Sequence, residues 1–324
     1  MTAAGSSPIC MLGAGALGSA LAAVLARAGQ HVRLWSRSPN ALPLSLGDYS
    51  PQPTGIQFCQ ELDEAITDAG LVFFALPSQS LRTIAKNAAQ FLNPDQLVIH
   101  CAKGFELGTL CTMSEVLAQE TSTRKIGALS GPNLAPELVQ GLPAGTLIAS
   151  RFDEVLAAAQ LAFENTNVQV FCGHDIVGAE VAGAFKNVIA IAAGVADGLD
   201  IGESAKALLI TEGFREMTLL GHSMGADVFT FHGIAGLGDL SATCSSRFSR
   251  NHYLGERLSK GEDLQTILRS TRSTFEGISC TQASQQLAAK HQLDLPIVDV
   301  VATMLAGQCD IRSELNRLFF KPRA

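Results

Sequence analysis

The 324-residue chain is poor in charge: Asp, Glu, Lys and Arg make up 16% of it, against 47% hydrophobic residues. Intrinsic disorder needs the reverse balance, so the apolar material suffices for packed cores, and at roughly 150 residues per domain the length suggests two. No block of Lys or Arg stands out and the formal net charge is −7. Generic nucleic-acid binding is thereby excluded, and an anionic ligand must be met by local basic groups because the overall field repels it. There is no C-x-x-C pair among the eight scattered cysteines (Cys10, Cys59, Cys101, Cys111, Cys172, Cys244, Cys280, Cys309). No metal is expected from them; they read as small buried side chains in a reducing compartment. The seven histidines form neither an H-x-x-x-H spacing nor a Ser/His/Asp pattern, and His100 and His174 read as packing or hydrogen-bonding residues. Internal repeats, a low-complexity tail and a collagen-like glycine period are also missing.

The uncharged stretch Ile9–Ala26 is long enough to suggest a membrane span or a signal peptide. No Lys or Arg precedes it, and three glycines interrupt it. A cytoplasmic protein without stable membrane insertion is therefore expected.

What is present alternates. Ile9–Leu12, His31–Trp35, Leu71–Leu76, Leu97–Cys101, Lys125–Leu129, Thr146–Ala149 and Val168–Phe171 read as strands. Between them, 16–28, 61–68, 78–92, 109–120 and 152–165 read as helices, with a Pro/Ser-rich loop over 36–53. Continuous apolar strands alternating with helices imply a doubly wound parallel sheet covered on both faces. Beyond His174-Asp175 the periodicity becomes helical, over 180–197, 203–223, 226–231, 251–259, 263–268, 280–291 and 296–306, broken by the Gly-rich loop 233–238. The expected architecture is α/β, with a Rossmann-type dinucleotide-binding domain over 1–175 and an all-α substrate domain over 176–324. A ligand should bind outside the carboxyl ends of the strands.

Gly13-Ala14-Gly15-Ala16-Leu17-Gly18 fits G-x-G-x-x-G, following a strand and opening a helix. Gly13 permits the tight turn, Gly15 lets the backbone approach a pyrophosphate, and Gly18 allows close helix–strand packing, with the helix N-terminus facing the phosphates. A purely structural glycine turn is the alternative. Sites that prefer NAD place a carboxylate about 20 residues on; here stands Trp35-Ser36-Arg37-Ser38. Arg37 can pair with a 2′-phosphate and the serine hydroxyls can donate to it, unless Arg37 is only a solvated surface charge. NADP(H) is favoured as cofactor, with NAD(H) still admissible.

The sequence resembles the bacterial NAD(P)-dependent glycerol-3-phosphate dehydrogenases along nearly its whole length. The blocks that carry the resemblance occur in order: Gly13–Gly18, Leu34-Trp35, Leu76-Pro77-Ser78, Ala102-Lys103-Gly104-Phe105-Glu106 and Ser130-Gly131-Pro132-Asn133-Leu134-Ala135. They continue with Gly183 to Ala190, Gly236-Leu237-Gly238-Asp239-Leu240, Thr243-Cys244, Ser249-Arg250-Asn251 and Glu276-Gly277. The resemblance implies interconversion of dihydroxyacetone phosphate, a triose phosphate, and sn-glycerol 3-phosphate for phospholipid synthesis. It implies Lys186 as proton acceptor and Lys103 as a residue touching both cofactor and substrate. It further implies substrate contacts at Gly131, Asn133, Asp239, Ser249, Arg250 and Asn251, and cofactor contacts at Ala16, Leu17, Arg37, Ala135, Arg250, Thr274 and Glu276. Two departures stand out: Asp200 and Ser204 replace a usual Gly and Asn, and Leu134 replaces a usual Phe. The sequence does not fix an oligomeric state; a homodimer is compatible with it.

Read from the residues alone, Lys186 lies in an apolar helix whose same-face neighbours are Ala179, Ala182, Gly183, Ala190 and Ala193, with Asp197 further along that face. Desolvation there should lower its pKa toward a useful acid–base range. A structural lysine paired with Asp197 or Asp239 is the equal alternative. Lys103 follows a strand directly and so lies at the carboxyl edge of the sheet, or merely caps it. Ser249-Arg250-Asn251 suits a phosphate, or else is an ordinary N-cap beside a surface arginine. Two other functions remain open at this stage: another two-domain NADP-dependent reductase of a small β-hydroxy acid, which would not need the Ser249-Arg250-Asn251 cluster, and a non-catalytic dinucleotide-sensing module, against which the two lysines argue.

Overall fold

The computed structural model describes residues 7–37, 54–246, 248–271, 274–307 and 310–320. The chain divides into two compact units, Met1–Ala102 with Thr112–Ala179, and Lys103–Cys111 with Glu180–Ala324.

The first unit is built on one eight-stranded sheet: β1 (Ile9–Leu12), β2 (Val32–Trp35), β3 (Ile56–Cys59), β4 (Leu71–Phe74), β5 (Leu97–His100), β6 (Ile126–Ser130), β7 (Ala144–Ser150) and β8 (Val168–Gly173). Their order is β3-β2-β1-β4-β5-β6-β7-β8. Every residue of β1, β4 and β6 is buried, which is why those segments are unbroken apolar runs. The register pairs Ile9 with Val32 on one side and with Leu71 on the other. All pairs are parallel except β6 with β7, where Ala128 faces Ala149 in antiparallel register. The sheet is thus doubly wound as expected, with one reversed pair near its far edge. Helix Ala16–Arg27 packs Leu21, Val24 and Leu25 into the same core as Met11, Leu34, Phe73 and Ile99.

The structure adds elements that the sequence pattern did not announce. β3 exposes Gln57 and Phe58, so it lacks the buried alternation of an interior strand. Helix Ala135–Gln140 is only six residues long and carries Pro at its start. In the second unit, Asp239–Ser245 and Ile311–Phe320 are helical as well.

The second unit, from Glu180 onward, is helical among the described residues. Its central helix, Ile176–Gly198, starts four residues earlier than expected because Asp175 Oδ1 accepts from Gly178 N at 2.9 Å and caps it. This helix is long and apolar enough to cross a membrane, but 94% of its most apolar window is buried within the protein, which makes it a core helix. The other helices are Glu203–Ser223, Val228–His232, Arg250–Ser259, Leu264–Ser270, Glu276–His291 and Pro296–Leu305. The glycine-rich break at 233–238 folds as a π-helical turn, Ile234–Gly238, that runs directly into helix Asp239–Ser245. A Cβ on Gly236 would lie 2.0 Å from Phe231 O, so this turn closes only with glycine there.

Candidate active site

In the first unit the sheet reverses its winding between β1 and β4, the point where such sheets bind ligands. Gly13 follows β1 and Ala75 follows β4; Ala75 N donates to Leu12 O and Gly13 N to Trp35 O, both at 2.9 Å. Gly13 has φ +115°, and a Cβ there would sit 2.3 Å from Ala75 O. A Cβ on Gly18 would sit 1.9 Å from Gly13 O, so the turn and the helix are in backbone contact. Gly15 differs: a Cβ there would meet nothing within 4 Å. It is the N-cap of helix Ala16–Arg27, extended and without a side-chain cap, so first-turn amides face an open cradle as a pyrophosphate requires. Ala16 is exposed and Leu17 half-buried. Ser36 is half-buried and Arg37 exposed at the end of β2; Ser38 lies outside the described residues. These residues fit a dinucleotide.

The same unit holds Gly131 and Asn133 after β6. Gly131 has φ +131°, and Asn133 Nδ2 donates to Gly131 O at 3.0 Å and to Thr146 Oγ1 at 3.1 Å. Asn133 Oδ1 is buried without a hydrogen-bond partner among the described residues. Ala135 opens the next helix, with Leu134 as its N-cap.

In the second unit a carboxylate gathers the two lysines. Asp239, the first residue of its helix and 1% exposed, receives Lys103 Nζ on Oδ2 at 2.7 Å and Lys186 Nζ on Oδ1. Lys186 Nζ also donates to Thr243 Oγ1 at 2.8 Å, while that hydroxyl gives its own proton to Asp239 O at 2.6 Å. Burial pulls Lys186 down to about 8, against the raising effect of Asp239. Burial pushes the Asp239 carboxyl up, but Lys103 and Lys186 outweigh it and hold it below its ordinary value. Lys186 is thus desolvated and paired with Asp239 rather than Asp197.

An amide chain fixes the surroundings. Gly277 N donates to Asn251 Oδ1 at 3.1 Å, and Asn251 Nδ2 to Asn187 Oδ1 at 2.9 Å. Asn187 Nδ2 in turn donates to Lys103 O at 3.3 Å and Gly183 O at 3.2 Å, and the Cys280 thiol reaches Lys103 O at 3.6 Å. The backbone of Lys103 is therefore held from two helices. Ser249 caps helix Arg250–Ser259, its Oγ accepting from His252 N at 3.2 Å. Arg250 is exposed and donates to Thr274 Oγ1 at 3.4 Å; Glu276, half-buried, opens the following helix. Of the Ser249-Arg250-Asn251 cluster, only the arginine presents its side chain outward. Among the described residues no group of three His, Cys, Asp or Glu side chains could hold a metal.

Residues 8–156 match the N-terminal family pattern described as NAD-dependent glycerol-3-phosphate dehydrogenase, and residues 175–316 match its C-terminal counterpart. A protein of Dehalococcoides mccartyi named glycerol-3-phosphate dehydrogenase, NAD(P)+, is 38% identical over 324 residues, 96% of this chain and 90% of that one. The chain belongs to the NAD-dependent glycerol-3-phosphate dehydrogenase family. A Streptomyces griseus protein of the same name is 39% identical, with 91% of each chain covered. The crystal structure of glycerol-3-phosphate dehydrogenase from Coxiella burnetii superposes with a TM-score of 0.91 at 29% identity, covering 98% of this chain and 99% of that one.

Thr243 and Asn187 were not singled out by the sequence, although both lie inside blocks shared with the family. Thr243 follows Asp239 by one helical turn and Asn187 adjoins Lys186, spacings that carry meaning only once Asp239 is known to pair with the lysines. The family departure at Asp200 also gains a reason. Asp200 ends helix Ile176–Gly198 with φ +52°, and Ile201 N reaches back to Ala196 O at 3.3 Å. A left-handed residue at this position favours glycine, and Asp is among the few side chains that tolerate it.

Proposed function

We propose that this chain interconverts dihydroxyacetone phosphate and sn-glycerol 3-phosphate with a nicotinamide dinucleotide, NADP(H) in preference to NAD(H). The observation that carries it is the buried Asp239 carboxylate shared by Lys103 and Lys186 in a member of this family. The Gly13–Gly18 turn and the Gly15 cradle would hold the pyrophosphate, and Arg37 with Ser36 the adenosine 2′-phosphate. The dinucleotide supplies the hydride for reduction and takes it back in oxidation. Everything else falls to side chains of the protein.

Lys186 is the acid–base group. Two of its three N–H donors go to Asp239 and Thr243, and the third serves the substrate oxygen. As the carbonyl is reduced, negative charge develops on that oxygen; the ammonium stabilises it and gives up a proton. In oxidation the neutral amine accepts the proton, and a pKa of about 8 places both forms within reach. Asp239 holds the ammonium in place without taking the proton. Lys103, fixed through its backbone by Asn187, adds a second positive charge beside the reacting oxygen. Arg250 grips the phosphate, which an acidic chain of net charge −7 needs. Ser249 and Asn251, tied to His252, Asn187 and Gly277, set the start of the helix that carries it. Asn133, which follows β6 beside Gly131, is a further substrate-contact candidate.

The physiological role that follows is supply of glycerol 3-phosphate for phospholipid synthesis in the cytoplasm. The seven described cysteines are free thiols, which suits a reducing compartment. Initial rates of nicotinamide oxidation with dihydroxyacetone phosphate, run with each dinucleotide in turn, test the reading. Turnover with NADPH faster than with NADH supports it, and no turnover with either overturns it.

A further inference from the structure

Beyond Lys186, the helix Ile176–Gly198 carries a second, half-buried charge that the chemistry above does not use. Asp197 lies eleven residues on, close to the same face. Its Oδ2 receives Lys206 Nζ from helix Glu203–Ser223 at 2.7 Å and faces His252 Nε2 of helix Arg250–Ser259 at 2.7 Å. One carboxylate therefore ties three helices together. Burial pushes the Asp197 carboxyl up, but Lys206 and His252 more than offset this and hold it in its charged form.

Around this cluster the two helices touch through their backbones. A Cβ on Gly194 would lie 1.9 Å from His252 O, and one on Gly255 would lie 2.1 Å from Ile191 O. No side chain cushions the contact, so any shift of one helix is passed to the other. The contact runs straight into the site: His252 follows Arg250 and Asn251 directly, and its backbone N–H is the one capped by Ser249. On the other helix, Asn187 receives Asn251 Nδ2. Seating two helices does not by itself call for ions. Partly buried ion clusters are weak sources of stability, because desolvation offsets most of their attraction, whereas they fix register well.

We propose that Asp197, with His252 and Lys206, is a positioning device that sets the start of helix Arg250–Ser259, and through it Arg250 and Asn251, against the helix of Lys186. Its role in the reaction is indirect: it places the arginine that grips the substrate phosphate. The inference rests on the reading of the site as a triose phosphate reductase.

The test uses Asp197→Asn, which keeps shape and removes charge, and His252→Arg, which offers an N–H donor toward Asp197. Native protein is first assayed with dihydroxyacetone phosphate; lack of turnover there would overturn the functional reading and this inference with it. With turnover established, Asp197→Asn should raise KM for dihydroxyacetone phosphate at least tenfold, within the ~10²-fold that an ångström of misplacement can cost. NADPH affinity and the slow turnover of bare dihydroxyacetone should stay within about twofold, the bound set by a group that does not touch them. His252→Arg should keep KM near native. If Asp197→Asn lowers thermal stability while KM for the phosphorylated substrate stays native, or if both substrates suffer equally, the cluster is only structural and the inference is wrong, with the functional reading intact.

Discussion

Lys186 and Asp239 form an ion pair away from water: the lysine is 7% exposed and the aspartate 1%. Two effects oppose each other in that pair. Desolvation favours the neutral amine, and the carboxylate favours the ammonium; burial wins, which brings the lysine to about 8. A lysine in water is almost wholly protonated at neutral pH. Here a value of about 8 brings the neutral amine within reach.

That balance predicts opposite pH dependences for the two directions. Oxidation of glycerol 3-phosphate needs the neutral amine, so kcat should climb as pH rises through about 8. Reduction of dihydroxyacetone phosphate needs the ammonium, so its kcat should fall over the same range. The midpoint belongs to the coupled Lys103–Asp239–Lys186 group rather than to one residue. Parallel pH profiles in the two directions would exclude proton transfer by this lysine.

Most of the fold could be read from the residues, and the reasons for the exceptions are local. β1, β4 and β6 are buried on both faces and announce themselves as apolar runs. β3 buries only Cys59 fully, and helix Ala135–Gln140 is too short for a period to repeat. The antiparallel pairing of β7 leaves no mark, because either direction buries the same side chains. The glycine turn at 13–18 and Lys186 in its small-residue helix were legible for a physical reason: each needs particular neighbours in sequence. The Asp239 junction was legible only in part: Asp239 stood beside Asp197 as a possible partner of Lys186, but the sharing of its carboxylate with Lys103 did not show. It joins residues 53 and 136 positions apart, and no local spacing chooses between Asp197 and Asp239 or brings in Lys103.

On the proposed reading cofactor choice rests on Arg37, which is exposed at the end of β2. Arg37→Asp should weaken NADPH binding by roughly 1.5–3 kcal/mol, the loss of a hydrogen bond to a charged group, or about ten- to a hundredfold in Kd. NADH should become the better ligand. Titration of nicotinamide fluorescence with both dinucleotides measures this, and unchanged NADPH affinity would remove Arg37 from the site.

Arg250 is the outward-facing cation of its cluster. Arg250→Ala should cost roughly 2–5 kcal/mol in kcat/KM for dihydroxyacetone phosphate, the range for removing one member of a desolvated charge pair. Part of the loss should fall on kcat, because phosphate binding helps hold the carbonyl in place. Turnover of bare dihydroxyacetone should barely change. Equal damage to both substrates would place the phosphate site elsewhere.

The left-handed Asp200 offers a test of stability. Asp200→Gly removes the steric cost of that conformation, roughly 1 kcal/mol or less for a residue as tolerant as Asp. The thermal midpoint should rise slightly, and Asp200→Ala should lower it. A lower midpoint for the glycine variant would show that the Asp200 side chain itself holds the loop.

The central claim is that Lys186, held by Asp239, moves the proton. Lys186→Met tests it most directly, since it keeps the side-chain volume and removes the charge. Measured at saturating dihydroxyacetone phosphate and NADPH, kcat should fall by ~10²-fold or more, the typical contribution of a positioned acid–base group. NADPH should bind as in the native protein, and the residual rate should lose its dependence on pH near 8. A variant that binds NADPH normally and turns over at near-native rate, with the pH profile unchanged, would contradict the account.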